Sequence, residues 1–196
     1  MDADQVARLR TVLESTPWLQ QTRLFARALR GSLPRTAGGL LVVGTPEEEP
    51  WHLAAHLDQE SRLAGIPGLA PTLVRWAPPP GAPPHLRVGM DRLEAARRGE
   101  TLFVVAADAA PEPLLERVHD ARRVGATILA LDQGDPDLDG MAHEFLSVAP
   151  GLAPVSFDAA QHLVSAAAGE PSPSRIGLRS RLARLLDAVS GTPPAD

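Results

Sequence analysis

Apolar residues recur along this chain in two rhythms. Short runs that are apolar almost throughout, LLVV at residues 40–43 and TLFVVAA at residues 101–107, alternate with longer stretches where apolar residues return every three or four positions. The first pattern suits a strand covered on both faces, and the second an amphipathic helix. Val6, Leu9, Val12 and Leu13, then Trp18, Leu19, Phe25 and Leu29, predict two helices within residues 3–31, separated at Thr16-Pro17. Thr16 is placed as a cap there, with Pro17 in the first helical position. A helix is predicted over 48–64, ended by the breaker Gly65-Ile66-Pro67-Gly68, with a β-rich run at 72–76. The proline-rich stretch 77–84 lacks donors and should run extended. The pattern then gives a short helix at 90–98, the strand at 101–107 and a helix at 114–124 with Leu115 and Val118 inward. A strand at 126–131, an acidic loop at 132–140, a fifth strand at 144–148, helices at 156–168 and 175–189, and a disordered tail at 191–196 complete it.

Strands separated by helices of about ten to fifteen residues imply βαβ crossovers and a parallel, doubly wound α/β sheet. Such sheets bind ligands beyond the carboxyl ends of their strands. The loops to interrogate are therefore residues 44–49 and 106–113.

Composition narrows the chemistry. The 196 residues suit one domain with a single large core, and the absence of cysteine excludes disulfides, thiolate metal sites and cysteine catalysis. All 19 basic residues are arginine and the formal net charge is -5. This argues against a general nucleic-acid binder, which would need a basic face to neutralise phosphates, and leaves room only for a local patch. Arg175, Arg179, Arg181 and Arg184 line up opposite Leu182, Leu185 and Leu186, which is the pattern of a solvated amphipathic helix. No run approaches the roughly 18 continuous apolar residues of a membrane span. The sequence is read as cytoplasmic, with neither nucleic acid nor membrane as partner.

Three blocks carry a resemblance: GGLLVVGT, GETLFVVAADAAPEPLLERVHDARRVGATILAL and SFDAAQHLVSAA. In their order and spacing the chain resembles the sugar isomerase (SIS) domain family over roughly residues 20–168. The resemblance implies a three-layer α-β-α sandwich with a five-stranded parallel sheet, extra helices at both ends, a homodimer, and a phosphosugar site. It also implies where that site should be. The family's first loop, of the form Gly-x-Gly-x-Ser, reads Gly44-Thr45-Pro46-Glu47-Glu48 here. Its second, Ser-x-Ser-Gly-x-Thr, reads Ala106-Ala107-Asp108-Ala109-Ala110-Pro111. The ligand-binding positions are then Gly44, Thr45, Glu48, Ala106 and Asp108, in loops stripped of the hydroxyls and amides that grip phosphate at a helix N-terminus.

Charge works against phosphate as well. Glu47, Glu48, Glu49 and Asp108 are expected at the mouth, and each carboxylate about 4 Å from a phosphate costs on the order of 1 to 4 kcal/mol. A micromolar affinity is worth only about 8 kcal/mol. A structural account of the same residues is a Thr45 cap, Pro46 in the first helical position and an acidic first turn, with Asp108 capping the helix after the second loop.

The resemblance to the sedoheptulose 7-phosphate isomerase type adds a candidate centre. His52 and His56 stand where that type carries a His-x-x-x-Glu pair. Residues four apart share a helix face, and two imidazoles so placed can clip zinc. A third ligand could come from Gln161 or His162 on the late helix, or from Glu48. The catalytic candidates are accordingly His52, His56 and His162, and the metal set is His52, His56 and Gln161. The leading expectation is a non-catalytic, cofactor-free, SIS-like protein with an eroded phosphosugar site, acting in regulation or with a protein partner, and able to take a sugar derivative. The alternative is a zinc-assisted phosphosugar isomerase using His52 and His56.

Overall fold

The computed structural model describes residues 17–34, 37–151, 153 and 155–170. In chain order these form α1 (Trp18–Ser32), β1 (Leu40–Val43), α2 (Trp51–Ala64), β2 (Pro71–Val74), α3 (Asp91–Glu94) and β3 (Thr101–Ala106). They continue with α4 (Glu112–Arg123), β4 (Thr127–Asp132), α5 (Pro136–Met141), β5 (Glu144–Ser147) and α6 (Phe157–Gly169), and 3-10 turns occupy Pro67–Leu69 and Pro84–Leu86. The first helix expected within residues 3–31, the helix at 175–189 and the tail lie outside the described residues.

All strand pairs among the described residues are parallel, in the order β2-β1-β3-β4-β5. Alternate residues of each strand feed opposite layers. Leu40, Val42, Phe103, Val105, Leu129 and Leu131 pack with Phe25 and Leu29 of α1, Leu53 and Leu57 of α2, and Val164 of α6. Leu41, Val43, Leu102, Val104, Ile128 and Ala130 pack with Leu93 of α3, Leu114 and Val118 of α4, and Leu138 of α5. This is the three-layer α-β-α sandwich with a five-stranded parallel sheet. β3 sits at its centre, buried at every position, as its unbroken apolar run requires.

Several boundaries differ from expectation for identifiable reasons. α2 begins at Trp51 rather than residue 48, because Pro50 disfavours helical backbone at Glu49 and occupies the cap itself. At its far end Gly65 takes the left-handed conformation, φ 66°, that closes a helix. The helix expected at 90–98 is a single turn, since the Glu100 carboxylate accepts the Arg97 N–H (2.8 Å) and pairs with Arg92. β2 ends at Val74, where the Arg75 N–H turns to the Val88 carbonyl (2.9 Å). In α4 the fully buried residues are Leu114 and Val118, the latter as expected, with Leu115 at the margin of the core. The acidic loop at 132–140 contains α5, capped by Asp135 with Pro136 in its first turn.

Phe103 is fully buried and meets Phe25 at 5.5 Å between ring centroids. Phe103→Ala should lower the unfolding free energy by about 3–5 kcal/mol, measured by urea denaturation of the whole chain, with a smaller loss expected for Phe103→Leu.

Candidate functional site

The chain leaves β1 toward β2 on one side and meets β3 on the other, so the carboxyl ends of β1 and β3 form the switch point where such sheets leave a crevice. The loops at 44–49 and 106–113 lie there, beside the N-terminal turn of α6.

The first loop is folded back on itself. A side chain at Gly44 would meet the Glu48 carbonyl oxygen at 2.1 Å and Pro50 Cδ at 2.7 Å, so only glycine fits. Thr45 is fully buried, and its hydroxyl accepts the Glu48 N–H at 3.3 Å. It therefore caps a turn within the loop rather than α2, whose first turn holds no acid. The Gly44 carbonyl accepts from Trp76 Nε1 at 2.8 Å. Two groups expected to face a ligand are thus engaged inside the protein.

Glu49 is not at the mouth. Arg75 Nε and NH2 both reach its Oε2 at 2.8 Å, the two side chains are largely buried, and the guanidinium lies 4.2 Å from the centre of the Trp51 ring. A buried pair satisfied on both sides leaves no charge for a ligand. Glu47 is exposed.

Glu48 faces the crevice. Its carboxyl is pushed above the usual carboxylate range by burial and by the charges of Asp158 and Asp108, against a hydrogen bond from Gln161. Asp158, in the first turn of α6, carried no signal in the sequence beyond its position two residues after the Ser156 cap. Asp108 does not cap α4, which starts at Glu112 behind Pro111. The Ala110 N–H of that loop is held instead by Asp135 Oδ2 at 2.7 Å. Ala106, at the tip of β3, is buried in the opposite layer.

The structure brings the three candidate histidines together. His56 and His162 meet edge to face at 4.4 Å across the α2–α6 interface. Burial, then the neighbouring His162 and His52, lowers the pKa of His56; burial and His52 lower that of His162, with Asp158 opposing. Both imidazoles are held neutral, which suits proton acceptance or ligation. Of the proposed metal set, Gln161 is buried and hydrogen-bonds Glu48, and among the described residues no group of three or more His, Asp or Glu is arranged to hold a metal. His143 accepts the Ile128 N–H through Nδ1 (2.9 Å), a structural role. A separate cleft of about 750 Å³ at the opposite ends of the strands, lined by Arg27, Arg30, Gly31, Pro34, Gly65 and Pro67, contains none of these residues.

No protein-family profile and no curated protein sequence matches this chain. Solved structures do. The sugar isomerase domain of the RpiR transcription factor from Sphaerobacter thermophilus superposes with a TM-score of 0.52 at 18% identity, covering 88% of this chain and 92% of that one. The chain has the sugar isomerase (SIS) domain fold. A candidate phosphosugar isomerase from Silicibacter pomeroyi (16% identity) and a candidate sugar-binding protein from Salmonella typhimurium LT2 (15%) each superpose on it with TM-score 0.58 over 94% of its length. This SIS-fold chain spans about half the length of each, 53%. No helix among its described residues is long and apolar enough to cross a membrane.

Gly44→Ala should cost about 1–3 kcal/mol in chemical denaturation, because backbone rather than a flexible side chain must yield. Acidification should also weaken the fold. The unfolded histidines take up protons at their ordinary value of 6.5, whereas folded His56 and His162 resist them. Stability is therefore full above pH 6.5 and lost as the pH falls through that value. His162→Phe, which keeps a ring against His56 but removes one titrating group, should shrink the fall in Tm between pH 7 and 5.5; an unchanged slope would assign the acid sensitivity elsewhere.

Proposed function

We propose that this chain is a non-catalytic sugar isomerase-fold module whose strand-tip site has turned from phosphosugars to a carbohydrate derivative without phosphate, and which works in regulation or with a protein partner. The observation that carries the reading is the meeting of Glu48, Asp108 and Asp158 at the place where the fold's phosphate cradle would lie. A dianion there faces three carboxylates, each costing on the order of 1 to 4 kcal/mol at about 4 Å, while the Glu48 N–H of the first loop is already donated to the Thr45 hydroxyl inside the protein. Carboxylates and neutral imidazoles are, in contrast, good partners for sugar hydroxyls, which donate as well as accept. A homodimer is the assembly proposed: Leu24 on α1 and Leu63 on α2 leave apolar side chains 51% and 64% exposed on helix faces. The proposed setting is the cytoplasm, whose reducing conditions leave a cysteine-free chain unaffected.

The rival reading, metal-assisted phosphosugar isomerisation, draws support from the convergence of His52, His56 and His162. It requires an anion grip as well, against which the crowding of Glu48, Asp108 and Asp158 counts.

A thermal-shift screen with phosphosugars, the same sugars without phosphate, and inorganic phosphate separates the two. The wild type should ignore every phosphorylated sugar at millimolar concentration. The double variant Glu48→Gln, Asp108→Asn should gain a phosphosugar shift by losing two repulsive charges. Ligand at a hundredfold its Kd adds about 2.7 kcal/mol, well within reach of the method. A wild-type shift with a phosphosugar, lost in His52→Ala, would replace the proposed function with the isomerase reading.

A further inference from the structure

β4 ends in an acid that the sheet encloses. Asp132 is fully buried; its Oδ1 accepts the Gly134 N–H (2.6 Å) and the Ser147 hydroxyl (3.0 Å), whereas its Oδ2 is buried with no donor. The same holds for Oδ1 of Asp139 on α5, which is also buried without a donor. Two ionised carboxylates cannot satisfy each other, since both only accept. One proton between them satisfies both oxygens at once. Asp139 is accordingly raised to about 7, by burial first, then by its hydrogen bond to Asp132 and the charges of Asp132 and Asp135.

The groups around this pair do nothing to relieve it once the proton leaves. Asp135, preceding α5, adds a third carboxylate. β5 contributes the neutral Ser147 hydroxyl. The cation on α4, Arg122, donates to the Gly140 and Met141 carbonyls (3.2 and 2.9 Å), at the far end of α5. None of the ion pairs among the described residues includes Asp132, Asp135 or Asp139.

Asp135 gives the pair its reach. Its Oδ1 accepts the Asp137 and Leu138 N–H groups (3.0 and 3.1 Å), capping α5, while its Oδ2 holds the Ala110 N–H (2.7 Å) of the loop after β3. α5 is short, and Leu138 is its one fully buried anchor. What moves α5 also moves the second loop of the strand-tip site.

We propose that Asp132 and Asp139 form a proton-held latch that seats α5 on the tip of β4 and, through Asp135, fixes the loop at 106–111; loss of the proton frees that loop. The latch is closed in mild acid and opens as the pH rises past neutrality. Its existence does not depend on which ligand the site takes.

Hydrogen exchange of the Ala110 amide, followed by NMR on the whole chain and corrected for intrinsic rates, tests this directly. In the wild type, protection of Ala110 should fall at least about tenfold between pH 6 and pH 8, equivalent to about 1.4 kcal/mol, while amides of the buried β3 strand hold theirs. Asp139→Asn, which carries a permanent donor toward Asp132, should keep Ala110 protected at both values. Asp132→Asn supplies the donor from the other side and should behave likewise, so the test survives if one variant does not fold. The carboxyl carbon of Asp139 should titrate near neutrality. Equal Ala110 protection at pH 6 and pH 8 in the wild type, or an Asp139 carboxyl ionised throughout that range, overturns the proposal.

Discussion

Leu41 and Val42 are neighbours in the chain and belong to different cores. The same split runs through β3 and β4, so the middle of the sheet is apolar on both faces and its three inner strands must be apolar at consecutive positions. That requirement fixes the interior and leaves chemistry only at the strand ends. At the carboxyl edge the loops are free of the packing constraint, and it is there that this chain carries the acids, the histidines and the buried carboxyl pair. Sheet and site could therefore diverge at different rates on one scaffold.

At that edge three devices operate on different charges. Glu49 is neutralised by Arg75, whose guanidinium lies over the Trp51 ring. Glu48 stays in the crevice among Asp158 and Asp108, where burial and like charge favour its proton. Asp139 holds its proton against a buried neighbour. His56 and His162 show the converse, neutral because burial and the neighbouring histidines exclude protons. Among the described residues the crevice is thus crowded with acceptors and short of cations, which supports the proposed turn away from phosphate without any need to invoke a blocked entrance.

Sequence alone located β1 and β3 because a doubly covered strand writes itself as an unbroken apolar run. It located the α2 histidine pair because i and i+4 positions share a face, and the late helix of the SIS-like pattern supplied His162. Glu49 defeated it: the partner is Arg75, 26 residues away in the chain, and nothing in EEE distinguishes the acid that turns inward. Asp132 reads as the start of a loop, since acids rarely end buried strands, while the Asp135-Pro136 pair is a legible helix start hidden among other acids. The start of α2 turned on Pro50, whose restriction of the preceding residue outweighed an otherwise good Thr-Pro-Glu-Glu cap.

The register of the sheet also orders its assembly in time. Pairing Thr101 with Thr127 closes 26 residues of chain, whereas pairing Leu40 with Thr101 closes 61. By the logarithmic cost of loop closure the β3-α4-β4 unit has an entropic head start of about 0.8 kcal/mol, and it encloses a compact apolar layer of its own in Leu114, Val118 and Ile128. Pairing Leu40 with Pro71 closes only 31 residues, so the β1–β3 seam, which frames the crevice, is the pairing that costs most chain entropy, and the Ala110 side and the histidine side of the site come together only as it closes.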